Sequence, residues 1–534
     1  MEEVHYIQVL LPLRLEWIPV YRCRQFLAEG TRVNVMFVHR RYSGVVYRNG
    51  AVPEVDDSRI QDILEVAGNL PSVSSEELRF WDFLSSYYLC TPGEVFKAAY
   101  PAGKMRSEQN AANILERLRQ RLAVRQESLT RKHRDNVRAR IEEEIKSIQA
   151  QMDSLTRIPA QSPVKPNPGR PMLISGGNRT HIYLEHCGKA VQEGLNVLVL
   201  TPEIAAGEQL QAIFEEAFPG QVHCVNSRLT DVRRRRIAAD IRNFGGQIVI
   251  GTRSSLFLPY SRLGLIIVEN EHDALFKQTE PSPRYNARDA AVVLGRIHNA
   301  RVILGSPCPS LESLHNALTG KYELHDTGAP FAAMTLVDIS SERKKNGMAG
   351  PVSRKLLEAA AKTEGPVALI RAWEKPEELI QNSLRLFGGR QVDIYTLQQA
   401  SLADLRPYAV VAVLQADAMF PDGDFRADER AMQALAMLGE QCSGIFLVQT
   451  AKPDHPVFSA SGNLVAKLLD ERKRFSLPPF TRLIDTDFGG HKERLTFPAD
   501  STLAARKQEL KQRALAFEKK TGGRIKVIID VDPL

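Results

Sequence analysis

The stretch Leu263-Gly-Leu-Ile-Ile-Val-Glu-Asn-Glu-His-Asp273 is a short apolar run that ends in a cluster of charge. A continuous run of this length predicts a strand buried on both faces, as in a parallel sheet. Open α/β sheets bind ligands at the carboxyl ends of such strands, which is where Glu269, Asn270, Glu271 and His272 fall. Nucleotide chemistry at that position needs one carboxylate for Mg²⁺ and another to handle the attacking water. Outward from this segment, comparable runs occur at 172–174, 197–200, 247–250 and 302–304, with helical stretches at 204–218 and 230–244. That alternation predicts a parallel sheet with crossover helices. A second unit of the same kind begins near residue 335, with apolar runs at 335–337, 367–370, 392–395, 410–414 and 445–448. The predicted fold class is therefore α/β, with one parallel-sheet lobe over 171–328 and a second over 329–455.

The flanks differ in texture. Residues 1–105 predict a small β-rich domain followed by a helix over 76–88. In it, Val33, Val35 and Phe37 alternate as a strand, 45–47 is a second strand, and Gly30 and Gly44 mark turns. Residues 106–158 lack Gly and Pro and are densely charged. Leu115, Leu118, Leu122 and Leu129 form one stripe, and Val137, Ile141, Ile145, Ile148, Met152 and Leu155 form another, out of register across 133–136. This predicts a charged hairpin of two antiparallel helices, either a solvated spacer or an arm that binds DNA or a partner. Pro159, Pro163, Pro166 and Pro168 make 159–170 an extended linker, and 456–534 reads as a small α+β domain.

Composition narrows the class. The 534 residues are 43% hydrophobic and 25% charged, which excludes wholesale disorder. No apolar run is long enough for a helical membrane span. The six cysteines at 23, 90, 187, 224, 308 and 442 form no CxxC pair, so the expectation is a reduced cytoplasmic protein without zinc. The net charge of +7 leans toward an anionic partner.

Several ordered strings resemble the primosomal protein N′ (PriA) family of superfamily 2 DNA helicases. They include Ile248-Val-Ile-Gly-Thr-Arg-Ser-Ser-Leu-Phe257, Arg284-Tyr-Asn-Ala-Arg-Asp289, Leu304-Gly-Ser-Pro-Cys-Pro-Ser-Leu-Glu-Ser313 and Val197-Leu-Val-Leu-Thr-Pro-Glu-Ile-Ala205. Leu414-Gln-Ala-Asp417 with Asp424-Phe-Arg-Ala-Asp-Glu-Arg430 resembles the family's second lobe, and Leu477-Pro-Pro-Phe480 and Ile529-Asp-Val-Asp-Pro533 resemble its C-terminal domain. Gly30-Thr-Arg-Val-Asn-Val35 and Tyr87-Tyr-Leu-Cys-Thr-Pro-Gly-Glu-Val95 resemble its 3′-end DNA-binding domain. The resemblance implies two RecA-like lobes, ATP and Mg²⁺ as cofactors, and DNA as partner.

The departures from that pattern cluster in one place. A phosphate loop needs glycines, then Lys and Ser/Thr. Here Ser175-Gly-Gly-Asn-Arg-Thr-His181 keeps Gly176, Gly177 and Thr180 but has Asn178 for the last glycine and Arg179 for the lysine. Asn tolerates left-handed backbone angles, and Arg keeps charge without the compact ammonium. Where the family implies Asp-Glu-Glu-His, this chain has Glu269-Asn-Glu-His272; loss of a general base costs about 10²–10⁴ in rate. Where the family implies an arginine finger, Glu440 stands, and such a finger supplies about 10³–10⁵. The zinc-binding CxxC clusters are missing between Arg371 and the helix-like run over 376–387, and the winged-helix segment gives way to residues 106–158. These changes predict a PriA-like protein without efficient ATP hydrolysis. The alternatives are an active 3′–5′ helicase with unorthodox motifs and a protein-interaction scaffold.

By the same resemblance, Trp17 occupies an aromatic pocket for a 3′-terminal nucleotide, and Ile18 stands where some members carry an acid. Arg32, Arg40, Arg41 and Tyr42 read as a basic-aromatic edge suited to phosphates and stacked bases. Lys277, Arg284, Tyr285 and Arg288 correspond to the family's aromatic-rich loop, with Arg253 nearby, all candidates for single-stranded DNA. Arg288 and Asp289 pairing within the lobe is the other reading. Arg233-Arg-Arg-Arg236 is a basic helix face, solvated in the simplest view. Replication-restart or single-strand-binding proteins are the implied protein partners, with no membrane association.

Overall fold

The computed structural model describes residues 4–50, 56, 59–68, 70–100, 111–130, 135–156, 168–328, 333–372, 385–402, 408–458 and 463–534. The first lobe is a seven-stranded, wholly parallel sheet. Its order across the sheet is Glu323–Asp326, Met172–Ser175, Arg301–Ser306, Leu263–Glu269, Asn196–Leu200, Ile248–Gly251 and Val222–Val225. The central strand carries Leu265, Ile266, Ile267 and Val268, all 2% exposed or less. Each such side chain contributes about 1.5–3 kcal/mol when buried, so the register that buries both faces is strongly fixed. Gly264 belongs to this packing, because a Cβ there would stand 2.5 Å from Leu195.

The second lobe is a five-stranded parallel sheet in the order Met334–Asp338, Cys442–Thr450, Tyr408–Val413, Val367–Arg371 and Val392–Thr396. All five expected runs became strands. The helix-like run at 376–387 lies mostly outside the described residues. So the expected α/β class with two parallel lobes holds.

The N-terminal sheet is antiparallel, in the order Val20–Cys23, His5–Leu10, Arg40–Asn49, Arg32–Phe37 and Glu65–Val66. The turn expected at Gly44 is not there. The chain reverses at Val38 and His39, both in left-handed backbone (φ 46° and 59°), and Gly44 lies within the following strand. Its lack of a side chain serves a close approach instead, since a Cβ would meet Val9 at 2.4 Å. The Ser75–Tyr87 helix matches expectation, and a second helix, Pro92–Ala99, follows it. Both begin with a reciprocal capping box, Ser74 with Glu77 and Thr91 with Glu94.

The first of these helices packs on lobe 1. Phe80 meets Phe257 at 6.0 Å, and the Asn286 backbone N–H donates to the Tyr88 hydroxyl at 3.1 Å. The C-terminal sheet, Lys492–Pro498, Thr481–Asp487 and Ile528–Val531, closes over the same core. The Tyr87 hydroxyl donates to Asp532 at 2.9 Å, and Arg14 pairs with Glu518 at 2.8 Å.

The charged segment forms two helices, Ala111–Leu129 and Asp135–Thr156. They run antiparallel, with Arg125 paired to Glu144 at 2.7 Å. Leu118 and Ile148 pack on Ala239 and Phe244 of lobe 1, with Leu122 and Met152 half-buried beside them. Ile141 and Ile145 are also buried, whereas Val137 is exposed. The side chains of Leu115 and Leu155 lie outside the described residues.

Candidate functional site

Met172–Ser175 delivers the loop residues to the top of lobe 1, and the Thr180–Gln192 helix leaves from it. Gly176 has φ 104°, a conformation only glycine adopts readily, and a Cβ there would stand 2.3 Å from Thr327. Asn178 takes the left-handed backbone (φ 52°), so the turn persists with asparagine in place of glycine. Gly177 is buried and Thr180 half-buried. Asn270, beyond the end of the central strand, is left-handed as well (φ 54°).

Arg179 turns back into the loop and is 5% exposed. Its Nη2 lies 2.6 Å from Glu269 Oε1, and its Nη1 donates to the Gly176 carbonyl at 2.6 Å. The same guanidinium reaches across the cleft to both oxygens of Glu440, at 3.1 and 3.3 Å. Burial alone would lower the Arg179 pKa; Glu269, Tyr183 and Glu440 outweigh burial and raise it. Tyr183, one turn along the helix, donates its hydroxyl to the second oxygen of Glu269. Its ring lies against Gly305, where a Cβ would collide with the hydroxyl at 1.6 Å.

Glu440 is the last residue of the lobe 2 helix Ala427–Glu440. A carboxylate at a helix C-terminus is electrostatically disfavoured. Burial, the largest cause, raises its pKa further, while Arg179 and the Asn178 backbone N–H stabilise the charged form. An acid from lobe 2 thus sits on the backbone of the loop in lobe 1. The lobes are joined a second time close by. Arg426 Nη1 pairs with Glu312 at 2.9 Å, and Glu429 accepts from the Leu311 backbone N–H at 2.8 Å.

The other acidic-cluster residues face inward. Glu271 is 1% exposed; it accepts from the Ser310 backbone N–H at 2.6 Å, from the hydroxyls of Ser310 and Ser313 at 3.0 and 2.8 Å, and from Arg288 at 3.2 Å. It therefore anchors the start of the Leu311–Leu318 helix. His272 shares a 2.7 Å hydrogen bond with Ser306 Oγ and lies 3.3 Å from Met437 Sδ in lobe 2. Burial, then Arg179 and Arg288, push its pKa down to about 3, so it is neutral.

On the N-terminal domain, Trp17 is 60% exposed, 6.1 Å from Phe37, which in turn meets Tyr42 edge-on at 6.4 Å. Arg40 and Arg41 are exposed on the adjoining strand, Arg41 paired with Glu65, while Tyr42 and Ile18 are half-buried. Arg32 does not join this edge. It is 4% exposed, its guanidinium 5.0 Å from the ring centre of Phe96 and 5.2 Å from that of Tyr100. Alternation in its strand turns it toward the Pro92–Ala99 helix.

The residues expected on a DNA-facing loop of lobe 1 are engaged within the protein. Lys277 is 3% exposed, with Nζ 2.6 Å from Asp530, 2.6 Å from the Val531 carbonyl and 2.7 Å from the Arg284 carbonyl. Arg253 donates to the carbonyls of Leu275 and Lys277, both at 2.7 Å. Tyr285 is 1% exposed against Phe257, and Arg284 pairs with Glu280 at 3.3 Å. Arg288 bridges Glu271 and Asp289, the second of its two readings. In sequence Lys277 carried no mark of burial, because its partners Asp530 and Val531 come from the distant C-terminal strand.

Residues 8–101 match the 3′ DNA-binding domain of PriA. The chain is a relative of the PriA replication restart proteins. It is 39% identical to replication restart protein PriA of Chlamydia pneumoniae over 194 residues, 35% of this chain and 26% of that one. Identity to PriA of Haemophilus influenzae is 37% over 188 residues, 34% and 26% of the two chains. With PriA of Rickettsia felis it is 30% over 298 residues, 55% and 41%. The alignments span less than half the length of these PriA relatives. Among solved structures, RecG bound to a three-way DNA junction gives a TM-score of 0.35 at 14% identity, covering 75% of this chain and 50% of that one. Yeast Dbp5 bound to RNA and ADP BeF3 gives 0.34 at 10%, covering 62% and 90%. Among the described residues, no helix is long and apolar enough to cross a membrane.

Proposed function

We propose that this chain binds forked or 3′-ended DNA in replication restart, as a PriA-like cytoplasmic protein, without efficient ATP hydrolysis. The observation that carries this reading is the Arg179 cluster. In a nucleotide-hydrolysing lobe, the loop N–H groups and the neighbouring cation receive phosphate, and the acid at the strand end receives Mg²⁺. Here the Asn178 N–H and the Arg179 guanidinium both engage Glu440, and Glu269 is committed to Arg179 and Tyr183. A triphosphate would have to displace a carboxylate supplied by the protein and then share Arg179 with Glu269. These residues do not fit Mg²⁺-ATP. No arginine occurs between Arg430 and Ser459 to serve as a finger.

DNA binding then rests on the N-terminal domain. Trp17, Phe37 and Tyr42 offer ring faces to a terminal base, and Arg40 and Arg41 offer charge to the phosphates beside it. Ile18 supplies no acid for the terminal sugar, so end recognition would rest on stacking. Single-strand-binding or restart proteins are the partners such a complex would recruit.

The test is phosphate release by the purified chain with ATP, Mg²⁺ and a fork carrying a free 3′ end, read beside anisotropy of the same fork. The expected result is binding with no release above that of Arg179→Ala. Release well above that background would return the chain to the active helicases. Absence of fork binding would sink the DNA-binding reading.

A further inference from the structure

We infer that the cleft between the charged helical hairpin and lobe 1 is a second binding site for nucleic-acid backbone phosphate. This rests on the DNA-binding reading above and adds a place that the resemblance does not supply. The four consecutive arginines at 233–236 lie on the Asp231–Asn243 helix. Two are used locally: Arg234 donates to the Asn226 carbonyl at 3.2 Å and Arg235 to the Asp231 carbonyl at 3.1 Å. The other two, three residues apart and so on one face, line a cavity of about 420 Å³. Arg121 of the hairpin lines the same cavity.

Among the described residues, Arg121, Arg233 and Arg236 are in no ion pair. Burial lowers the Arg236 pKa, and Arg117, Arg121 and Arg233 lower it further, against Asp240. Gathering like charges in a half-enclosed space is unfavourable unless an anion joins them. The acids on the wall offer little relief. Glu215 accepts from the Gly220 backbone N–H at 3.0 Å, and Asp240 is one buried carboxylate shared by Arg236 and Arg117, with burial raising its pKa. His223, also on the wall, is tied to Gln247 at 2.9 Å. The site is built by the segment that departs most from the family, and its helix also reaches the N-terminal domain through Arg242, which donates to the Ser72 carbonyl.

The experiment uses the full chain and labelled 3′-ended single strand, blunt duplex and fork in an anisotropy salt series. R233A/R236A is expected to weaken the preferred DNA about tenfold. It is also expected to reduce the salt slope by roughly 1.4 if the contacts are to single strand, or roughly 1.8 if to duplex, at about 0.7 or 0.9 per phosphate. R121E is expected to do the same from the hairpin side. R233K/R236K should keep most of the affinity, which separates charge from packing, and R354A/K362A on lobe 2 should leave the slope unchanged. Unchanged slope in a folded R233A/R236A would overturn the inference, as would equal weakening by the lysine variant. If the wild type binds none of the three DNAs, the proposed function fails with it. Wild-type binding without an arginine effect overturns this site alone.

Discussion

Arg179 and Arg40 are the same residue type in opposite circumstances. Arg179 is wrapped by two carboxylates and a carbonyl, and a neighbouring tyrosine donates to one of the carboxylates. Arg40 stands in water, on the domain that also leaves Trp17 uncovered. The inter-lobe cleft has satisfied its own polar groups, whereas the N-terminal domain has left a surface that something else must satisfy. Fold alone does not separate the two regions, since each looks well formed. What separates them is where the charges and ring faces end.

The largest expected effect lies in the cleft. Arg179→Ala strips the counter-charge from Glu269 and Glu440, and breaking a buried pair costs about 3–5 kcal/mol. Denaturant melts should show that loss, and E269Q in the same background should recover part of it. A melt unchanged by Arg179→Ala would mean the cleft is not held by these charges. On the open side, Trp17→Ala should weaken 3′-ended DNA by about 1–3 kcal/mol, the usual worth of one stacked base, with little change in the melt. A destabilised protein with intact affinity would instead assign Trp17 to packing.

His272 gives a pH test of the closed side. Its folded pKa, near 3, lies below the usual 6.5. The unfolded chain therefore binds the extra proton first as pH falls. The stability it contributes is complete above pH 6.5 and declines as pH drops toward 3, by up to about 1.4 kcal/mol per unit. H272N should flatten the melt-versus-pH curve between pH 6.5 and 5; an unaltered slope would place the titration elsewhere. The smallest effect belongs to Arg40→Ala, expected to reduce the salt slope by about 0.7 and leave stability within about 0.5 kcal/mol.

Much of the architecture was legible because buried parallel strands are written as continuous apolar runs, and Leu263–Glu269 is the clearest case. Two strands of the lobe 1 sheet were missed. Val222–Val225 carries His223 and Cys224, and the edge strand Glu323–Asp326 is largely exposed, so neither has the apolar signature. The Pro92–Ala99 helix had a readable signal, Thr91 and Glu94 flanking Pro92, that periodicity over eight residues is too short to supply. In the site, the substitutions at 178, 179, 269, 270 and 440 were all visible in sequence. Their mutual partnership was not, because a separation of 261 in sequence between Arg179 and Glu440 says nothing of proximity. Burial of Arg32 and Lys277 was hidden for the same reason: a cation reads as exposed until its distant acid or ring is placed beside it.

The bridge from Glu440 to Arg179 also bears on work. A molecule that steps along a track must alternate between two shapes, and the part that favours one shape must periodically be consumed and leave. Here the groups that hold the lobes together are both side chains of the same polypeptide. They are never spent, their local concentration never changes, and no fuel resets them. On the proposed reading, such a protein can grip and let go only as mass action dictates, a marker on DNA rather than a traveller along it.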